Sequence, residues 1–365
     1  MHYFSSFRYL LNKKIFSKLN SGYALPPSII FLALNTRCNL KCIMCDSAQN
    51  VLKSSFVKNT GTNKENIEIP YELVKKLVDE IKVFKPIISI TSREPLLHKN
   101  ILDIIFYILK NNLKCSLTTN GFLLSDFAAD LVRMKLHYLY VSIDGPSSIH
   151  DEIRGVKGAF RRAINGIQKI QYLKRMYNLN FPRIGIYYTI NHKNFIYLEQ
   201  TRRYFEALKV NDIHFDHINF ITSDMAEIHN QKFTNLPVCQ SGIYGRELEE
   251  VDVKKLWKQL RMVENNKREI KVFTKKLSLN DLEIYYREPK KFIRKTNRCL
   301  SPWLYAQVTA RGELVPMLRC YHLVFGNIND HSFKEIWNVN SFKEYRKRLK
   351  KYRFFPACSR CLETL

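Results

Sequence analysis

Three cysteines stand within eight residues of "TRCNLKCIMCD", at Cys38, Cys42 and Cys45, with no fourth beside them. Three thiolates on one tight loop can hold a metal or an iron-sulfur cluster and leave one metal without a protein ligand, open for a substrate to coordinate. A zinc site that borrows a distant histidine is the bland alternative, although zinc loops more often use a CxxC pair than a CxxxCxxC spacing. Four more cysteines lie near the other end, Cys299, Cys320, Cys358 and Cys361, the last two as a CxxC pair. Four thiolates close either a zinc ion or a [4Fe-4S] cluster, and ligand count alone leaves both open. Cys115, inside an apolar run, reads as a small buried residue, and Cys239 in "LPVCQSG" as a free thiol.

These residues must be positioned by a large fold. A chain of 365 residues with a hydrophobic fraction of 45% is enough for one large domain and a smaller appendage. From Ser28 to about Phe220, short β-branched runs alternate with amphipathic stretches, the pattern of strand-helix units and a parallel sheet. The expected strands are 29–34, 87–91, 115–119, 139–143, 183–190 and 212–220, with helices at 71–84, 100–112 and 159–176. Six units make a partial (β/α)6 barrel of TIM-like type, so the fold class is α/β. In such sheets reacting groups gather at the carboxyl ends of the strands, and the three-cysteine loop directly follows the first one. Residues 222–298 are expected to connect barrel and carboxy-terminal module, with a helix over 251–266. The insertion "SAQNVLKSSFVKNTGTNKEN" reads as irregular and polar, placed to cover the site as a lid.

The amino-terminal segment, 1–27, is basic and amphipathic. Phe4, Phe7, Leu10, Leu11, Ile15, Phe16 and Leu19 recur near helical spacing, while Arg8, Lys13, Lys14 and Lys18 take other faces. Such a helix either lies on a membrane surface or caps the domain that follows. It lacks the unbroken apolar core of a secretion signal, and no apolar run reaches membrane-spanning length, so the chain is expected to be cytoplasmic. In a reducing compartment nine cysteines speak for metal or redox chemistry over disulfides. The net charge of +26 favours an anionic partner. Its Lys and Arg are spread along the whole length, as on a solvated basic surface, and a nucleic-acid partner is not expected.

The stretches "NTRCNLKCIMCD", "ITSREPLL", "LTTNG" and "YVSIDGPSSIHDEIRG" together resemble the radical S-adenosylmethionine (SAM) superfamily. The resemblance implies a [4Fe-4S] cluster on Cys38, Cys42 and Cys45, with SAM chelating its open iron and being cleaved to a 5′-deoxyadenosyl radical. It implies that Glu94 faces the methionine ammonium, that Ser142 and Arg154 bind the SAM carboxylate, and that Asn120 and Asp144 lie near the ribose or the substrate. Asn-Gly and Asp-Gly are also ordinary turns, which leaves those last two roles open. Ser92 and Arg93 stand where the family usually has two glycines, whose freedom at unusual φ the turn would use.

The carboxy-terminal words, "RCLSPWLYAQV", "GELVP" and "FGNINDHSFKEIWN" with a terminal "CSRC", resemble the auxiliary-cluster extension called SPASM or its shortened form, twitch. That implies one auxiliary [4Fe-4S] cluster on Cys299, Cys320, Cys358 and Cys361. Met317 occupies the place after Val-Pro where a cysteine is usual, and Cys320 is the nearest substitute. Leu365 ends the sequence four residues after Cys361, so a second auxiliary cluster is not expected.

The implied activity is hydrogen abstraction followed by dehydrogenation or epimerisation of a hydroxylated or sugar-like small molecule, anionic if the basic surface bears on it. The implied electron donor is reduced flavodoxin or ferredoxin. Asp216 and His217, with His214 and Asp224 nearby, are the candidates for a general base. Peptide modification is the alternative enzymatic reading, and a non-catalytic cluster-bearing or RNA-binding protein the alternative from another class.

Overall fold

The computed structural model describes residues 7–264, 269–293 and 298–364. Phe4 and the last two positions of the helix expected at 251–266 lie outside them. The strands are β1 (Ile29–Leu32), β2 (Ile87–Ile90), β3 (Cys115–Thr119), β4 (Tyr138–Ser142), β5 (Arg183–Ile190), β6 (Asp212–His217), β7 (Lys271–Thr274), β8 (Tyr305–Val308) and β9 (Leu314–Val315). They form one sheet in the order β7-β6-β5-β4-β3-β2-β1-β8-β9. Every pair is parallel except β8 with β9.

The helices of the crossovers, among them Tyr71–Ile81, Ile101–Lys110, Leu124–Arg133, Ala159–Met176 and Leu198–Ala207, bury apolar faces such as Val74, Leu77, Ile104, Ile108, Ile167 and Ile170 in the main core. Strand alternation sets the two faces of the sheet. In β5, Ile184, Ile186, Tyr188 and Ile190 enter that core, while Tyr187 and Thr189 take the opposite, inner face. This is the partial (β/α)6 barrel the pattern predicts, lengthened by one strand at β6 and by two beyond β1.

Both additions depart from the sequence reading. Residues 222–298 hold the helices Ser223–Lys232, Val253–Glu264 and Leu279–Arg287 and also β7, which pairs with β6 from Asp212↔Lys271 to Phe215↔Thr274. The carboxy-terminal module inserts β8 beside β1, with Ile29 opposite Tyr305 and Leu32 opposite Val308. Lys271–Thr274 is flanked on both sides by charged residues and Tyr305–Val308 directly follows the helix Ser301–Leu304, so neither stands out as a β-branched run between turn signals.

The amino-terminal helix covers Phe7–Lys14. Asn12 is buried and fixes the next segment, accepting from the Leu25 N–H at 2.9 Å and donating to the Leu25 carbonyl at 3.2 Å. The helix thus caps the domain, while Phe7, Leu10, Ile15 and Leu19 are exposed. Among the described residues no helix is long and apolar enough to cross a membrane.

Candidate active site

The three-cysteine loop leaves β1 and lies over the end of the helix Ser147–Arg154. The N–H of Lys41 donates to the Arg154 carbonyl and that of Ile43 to the Ile153 carbonyl, each at 3.0 Å. Gly155 makes this approach feasible: its φ is +68°, and a Cβ there would stand 2.5 Å from the Lys41 oxygen. Asp46 anchors the loop's far end. Its buried carboxylate accepts from Ser241 Oγ at 2.6 Å, from the Gly242 N–H at 2.8 Å and from the Tyr244 hydroxyl.

The insertion above the loop is more ordered than its composition suggests. A helix, Ser55–Thr60, is capped at its start by Ser54 and ends at Gly61. Asn63 clasps Cys38 by its peptide, accepting from the N–H at 2.9 Å and donating to the carbonyl at 3.1 Å. Asn59 is buried and donates to the Leu318 carbonyl at 3.0 Å, which ties the insertion to the carboxy-terminal module.

Polar groups are aimed at the sulfurs. Arg154 Nη1 lies 3.7 Å from Cys42 Sγ, and Asn120 Nδ2 lies 3.9 Å from Cys38 Sγ. Burial pushes the Cys38 thiol up to about 12 and raises Cys42 as well. Thiols so placed resist ionisation unless a cation shares the charge, and a coordinated thiol is deprotonated outright. The donor set and its cationic and amide neighbours therefore fit an iron-sulfur cluster.

Cys38, Cys42 and Cys45 line a cavity of about 450 Å³ together with Thr91, Ser92, Arg93, Asn120, Ser142 and Arg154 and, from the sheet, Tyr187, Thr189 and Asp216. Strand register explains the second set: Ser142 pairs with Tyr187 and Thr189 with Asp216, so all share the inner face. Ser92 and Arg93 adopt φ of 79° and 52°, the left-handed backbone that the expected glycines would take without strain. The turn's shape is kept although its residues differ.

Three of the expected site residues are engaged by groups of the protein itself. The Glu94 carboxylate is fully buried behind the cavity, accepting from Thr119 Oγ1 at 2.7 Å, the Asn120 N–H at 2.8 Å and the Leu96 N–H at 3.1 Å. The turn supplies enough donors to hold it inward, and burial pushes its pKa up to about 7. Asp144 is likewise fully buried, paired with Arg154 at 2.6 Å and accepting from the Thr189 N–H at 2.8 Å. It orients Arg154. His217 follows Asp216 on β6, so its ring projects to the other face of the sheet. There Nδ1 lies 2.8 Å from the Tyr286 hydroxyl, and burial pulls the imidazole down to about 3. Both expected bases border the first cavity, with the His217 ring turned to Tyr286, and of the two only Asp216 also lines the second cavity; burial raises its carboxyl.

A second cavity, of about 390 Å³, holds Cys299, Cys320, Cys358 and Cys361 in its wall. Each of Cys299, Cys320 and Cys361 feels neighbouring thiols of this group electrostatically, and burial pushes Cys299 up to about 12. Met317 lines the same cavity, and Cys320 joins the other three thiols there. Among the described residues no three His, Cys, Asp or Glu groups stand close enough to hold a single metal ion. The two cavities share Phe56, Thr91, Ser92, Asp216, Asn219, Arg319 and Leu362. Asn63, Asp46, Gly155 and Arg319 escaped the sequence reading, since each acts through a contact distant in sequence.

Comparison with known proteins bears on both cysteine-bearing regions of the chain. The radical SAM superfamily matches residues 32–209, and the iron-sulfur cluster-binding domain SPASM matches residues 299–362. Fe-coproporphyrin III synthase of Methanosarcina barkeri is 29% identical over 168 residues, 46% of this chain and 38% of that protein. An AdoMet-dependent heme synthase of the same organism is 26% identical over 341 residues, 88% of this chain and 85% of its own. Streptococcus suis SuiB bound to its precursor peptide SuiA is similar in fold, with a TM-score of 0.63 at 14% identity over 90% of this chain and 68% of that one. The chain belongs to the radical SAM superfamily and carries a C-terminal SPASM domain, an enzyme of SAM and a [4Fe-4S] cluster with auxiliary iron-sulfur binding.

Proposed function

We propose that this enzyme dehydrogenates a hydroxylated or sugar-like small molecule held between its two cysteine sites. The observation that carries the reading is the wall common to the two cavities, with the three-thiol loop on one side, the four-thiol group on the other and Asp216 between. When bound, the cluster on Cys38, Cys42 and Cys45 with SAM supplies a 5′-deoxyadenosyl radical that takes a hydrogen atom, and an auxiliary cluster on Cys299, Cys320, Cys358 and Cys361 supplies a one-electron acceptor.

The chain's own residues do the rest. Ser142 and Arg154 hold the SAM carboxylate, Arg154 being aimed by Asp144. Asn120 lies beside the ribose, oriented by its bond to Asn39 Oδ1 at 2.7 Å and by Glu94 beneath its peptide. Asp216 accepts the substrate proton; its raised pKa makes it a stronger base near neutrality than a solvated carboxylate. The insertion 47–66 excludes water from above. A reduced flavodoxin or ferredoxin supplies the electron.

The test uses the anaerobically reconstituted protein, substrates deuterated at each carbinol position, and deuterium in 5′-deoxyadenosine as the readout. Transfer from one position, with Asp216→Asn lowering product at least tenfold, supports the reading; no transfer from any hydroxylated substrate defeats it. The heme synthase relative, similar over most of both chains, favours a second reading in which the substrate is a tetrapyrrole. The same assay with porphyrins decides between them. The peptide-bound neighbour, at 14% identity, speaks for the fold alone.

A further inference from the structure

Three guanidinium groups line the first cavity, and their partners differ. Arg93 donates from Nε to the Thr36 carbonyl at 2.8 Å and from Nη2 to Asn63. Arg154 is paired with Asp144 at 2.6 Å and lies against Cys42. Arg319 lies over the ring of Phe56, 4.6 Å from its centre, and among the described residues no carboxylate or carbonyl takes its N–H groups. Phe56 fixes the plane of this guanidinium and leaves its edge, the part that carries the N–H fork, for another partner.

We propose that Arg319 binds a carboxylate or phosphate of the substrate and so places the reacting carbon at the wall between the two cysteine sites. The assignment rests on the functional reading above and deepens it by naming the substrate as an anion. Arg319 and Phe56 both belong to the wall that the two cavities share, and Arg319 directly precedes Cys320. An anion gripped there lies beside Asp216 and between the thiol groups. Lys275, whose ammonium donates to the Leu362 carbonyl at 2.9 Å, adds positive charge on the second cavity's side. Two acids also face this space. Glu363 lines the second cavity only, and Asp216 lines both; neither is within ion-pair distance of Arg319 among the described residues. A planar guanidinium fork of this kind pairs two-pronged with carboxylate or phosphate oxygens, which a lysine cannot match.

The experiment titrates the reconstituted, SAM-loaded protein calorimetrically with inorganic phosphate and, separately, with succinate, at constant ionic strength. It uses the wild type, Arg319→Gln and Arg319→Lys, with a SAM titration of each. At least one of the two anions binds the wild type saturably, and which one identifies the charged group. Arg319→Gln weakens that binding roughly tenfold or more, and Arg319→Lys weakens it less because charge remains without the fork. SAM affinity stays within about threefold, on the same scale of charge-assisted contacts. No saturable binding to the wild type overturns the proposal whether or not the variants fold, as does equal binding by wild type and Arg319→Gln. An equal loss of SAM affinity would assign Arg319 to the SAM carboxylate and overturn it too. A wild type that binds the anion yet never cleaves SAM defeats the functional reading and takes the proposal with it. Intact SAM cleavage with indifferent anion binding removes only the role of Arg319.

Discussion

Arg154 and Asp144 form an ion pair of 2.6 Å beneath the cysteine loop, and the same guanidinium reaches to within 3.7 Å of the Cys42 sulfur. The pair couples the turn after β4 to the cluster loop. Removing one partner of a buried pair leaves the other charge uncompensated, a cost of roughly 3 kcal/mol or more. Asp144→Asn is expected to lower the urea midpoint accordingly and to weaken SAM binding at least tenfold. Unchanged SAM affinity in a folded Asp144→Asn protein would mean that Arg154 needs no such partner.

Gly155 faces the Lys41 carbonyl so closely that a methyl group cannot fit, and its φ of +68° adds about 1–2 kcal/mol of strain for any other residue. Gly155→Ala is expected to displace the cysteine loop and to lower the iron bound after reconstitution, while the carboxy-terminal site still fills. Full iron content would show that the loop re-forms elsewhere.

Ser92 and Arg93 hold left-handed backbone with side chains that disfavour it. Ser92→Gly relieves about 1 kcal/mol of strain and loses a similar amount to unfolded-chain entropy, so its stability and SAM cleavage should match the wild type closely. Ser92→Val places a β-branched residue at φ 79° and should lose most SAM cleavage. The reverse order would show that Ser92 acts through its hydroxyl.

Two buried groups give opposite pH dependences. Glu94 is pushed up to about 7 from 4.5, chiefly by burial, so the folded protein holds an extra proton between those values. Its stabilising contribution is complete below 4.5 and is lost as pH rises through 7. His217 is pulled down to about 3 from 6.5 by burial, so its contribution is present above 6.5 and is lost as pH falls toward 3. Between pH 5 and 6.5 the slopes oppose, each at most about 1.4 kcal/mol per pH unit. Relative to wild type, stability of Glu94→Gln should rise with pH across that window and that of His217→Gln should fall, as read from urea midpoints. Parallel slopes in all three proteins would contradict these protonation states.

Much of this site is legible in the chain itself, for a local reason. The CxxxCxxC loop, the Glu-Pro turn, Ser142 and Arg154 are short words at strand ends, and β3 and β5 match their expected limits at 115–119 and 183–190 because period-two alternation runs long enough to see. What the sequence conceals is orientation and long-range contact. Glu94 and Asp144 are held by backbone amides and Arg154, and the His217 ring, one residue past Asp216, is buried against Tyr286. Asn63 against Cys38, and Arg319 over Phe56, join segments whose spacing carries no period.

The central claim, two cluster sites on opposite sides of one substrate space, is tested most directly by iron and sulfide content with electron paramagnetic resonance of the reduced protein, with and without SAM. The account predicts roughly eight irons per chain, as for two [4Fe-4S] clusters, and one signal that shifts on adding SAM. Replacing Cys38, Cys42 and Cys45 by Ala should remove the shifting signal and all SAM cleavage, while Ala at Cys358 and Cys361 should remove only the other and leave cleavage intact. Roughly four irons with zinc bound, or two signals that both ignore SAM, would contradict it.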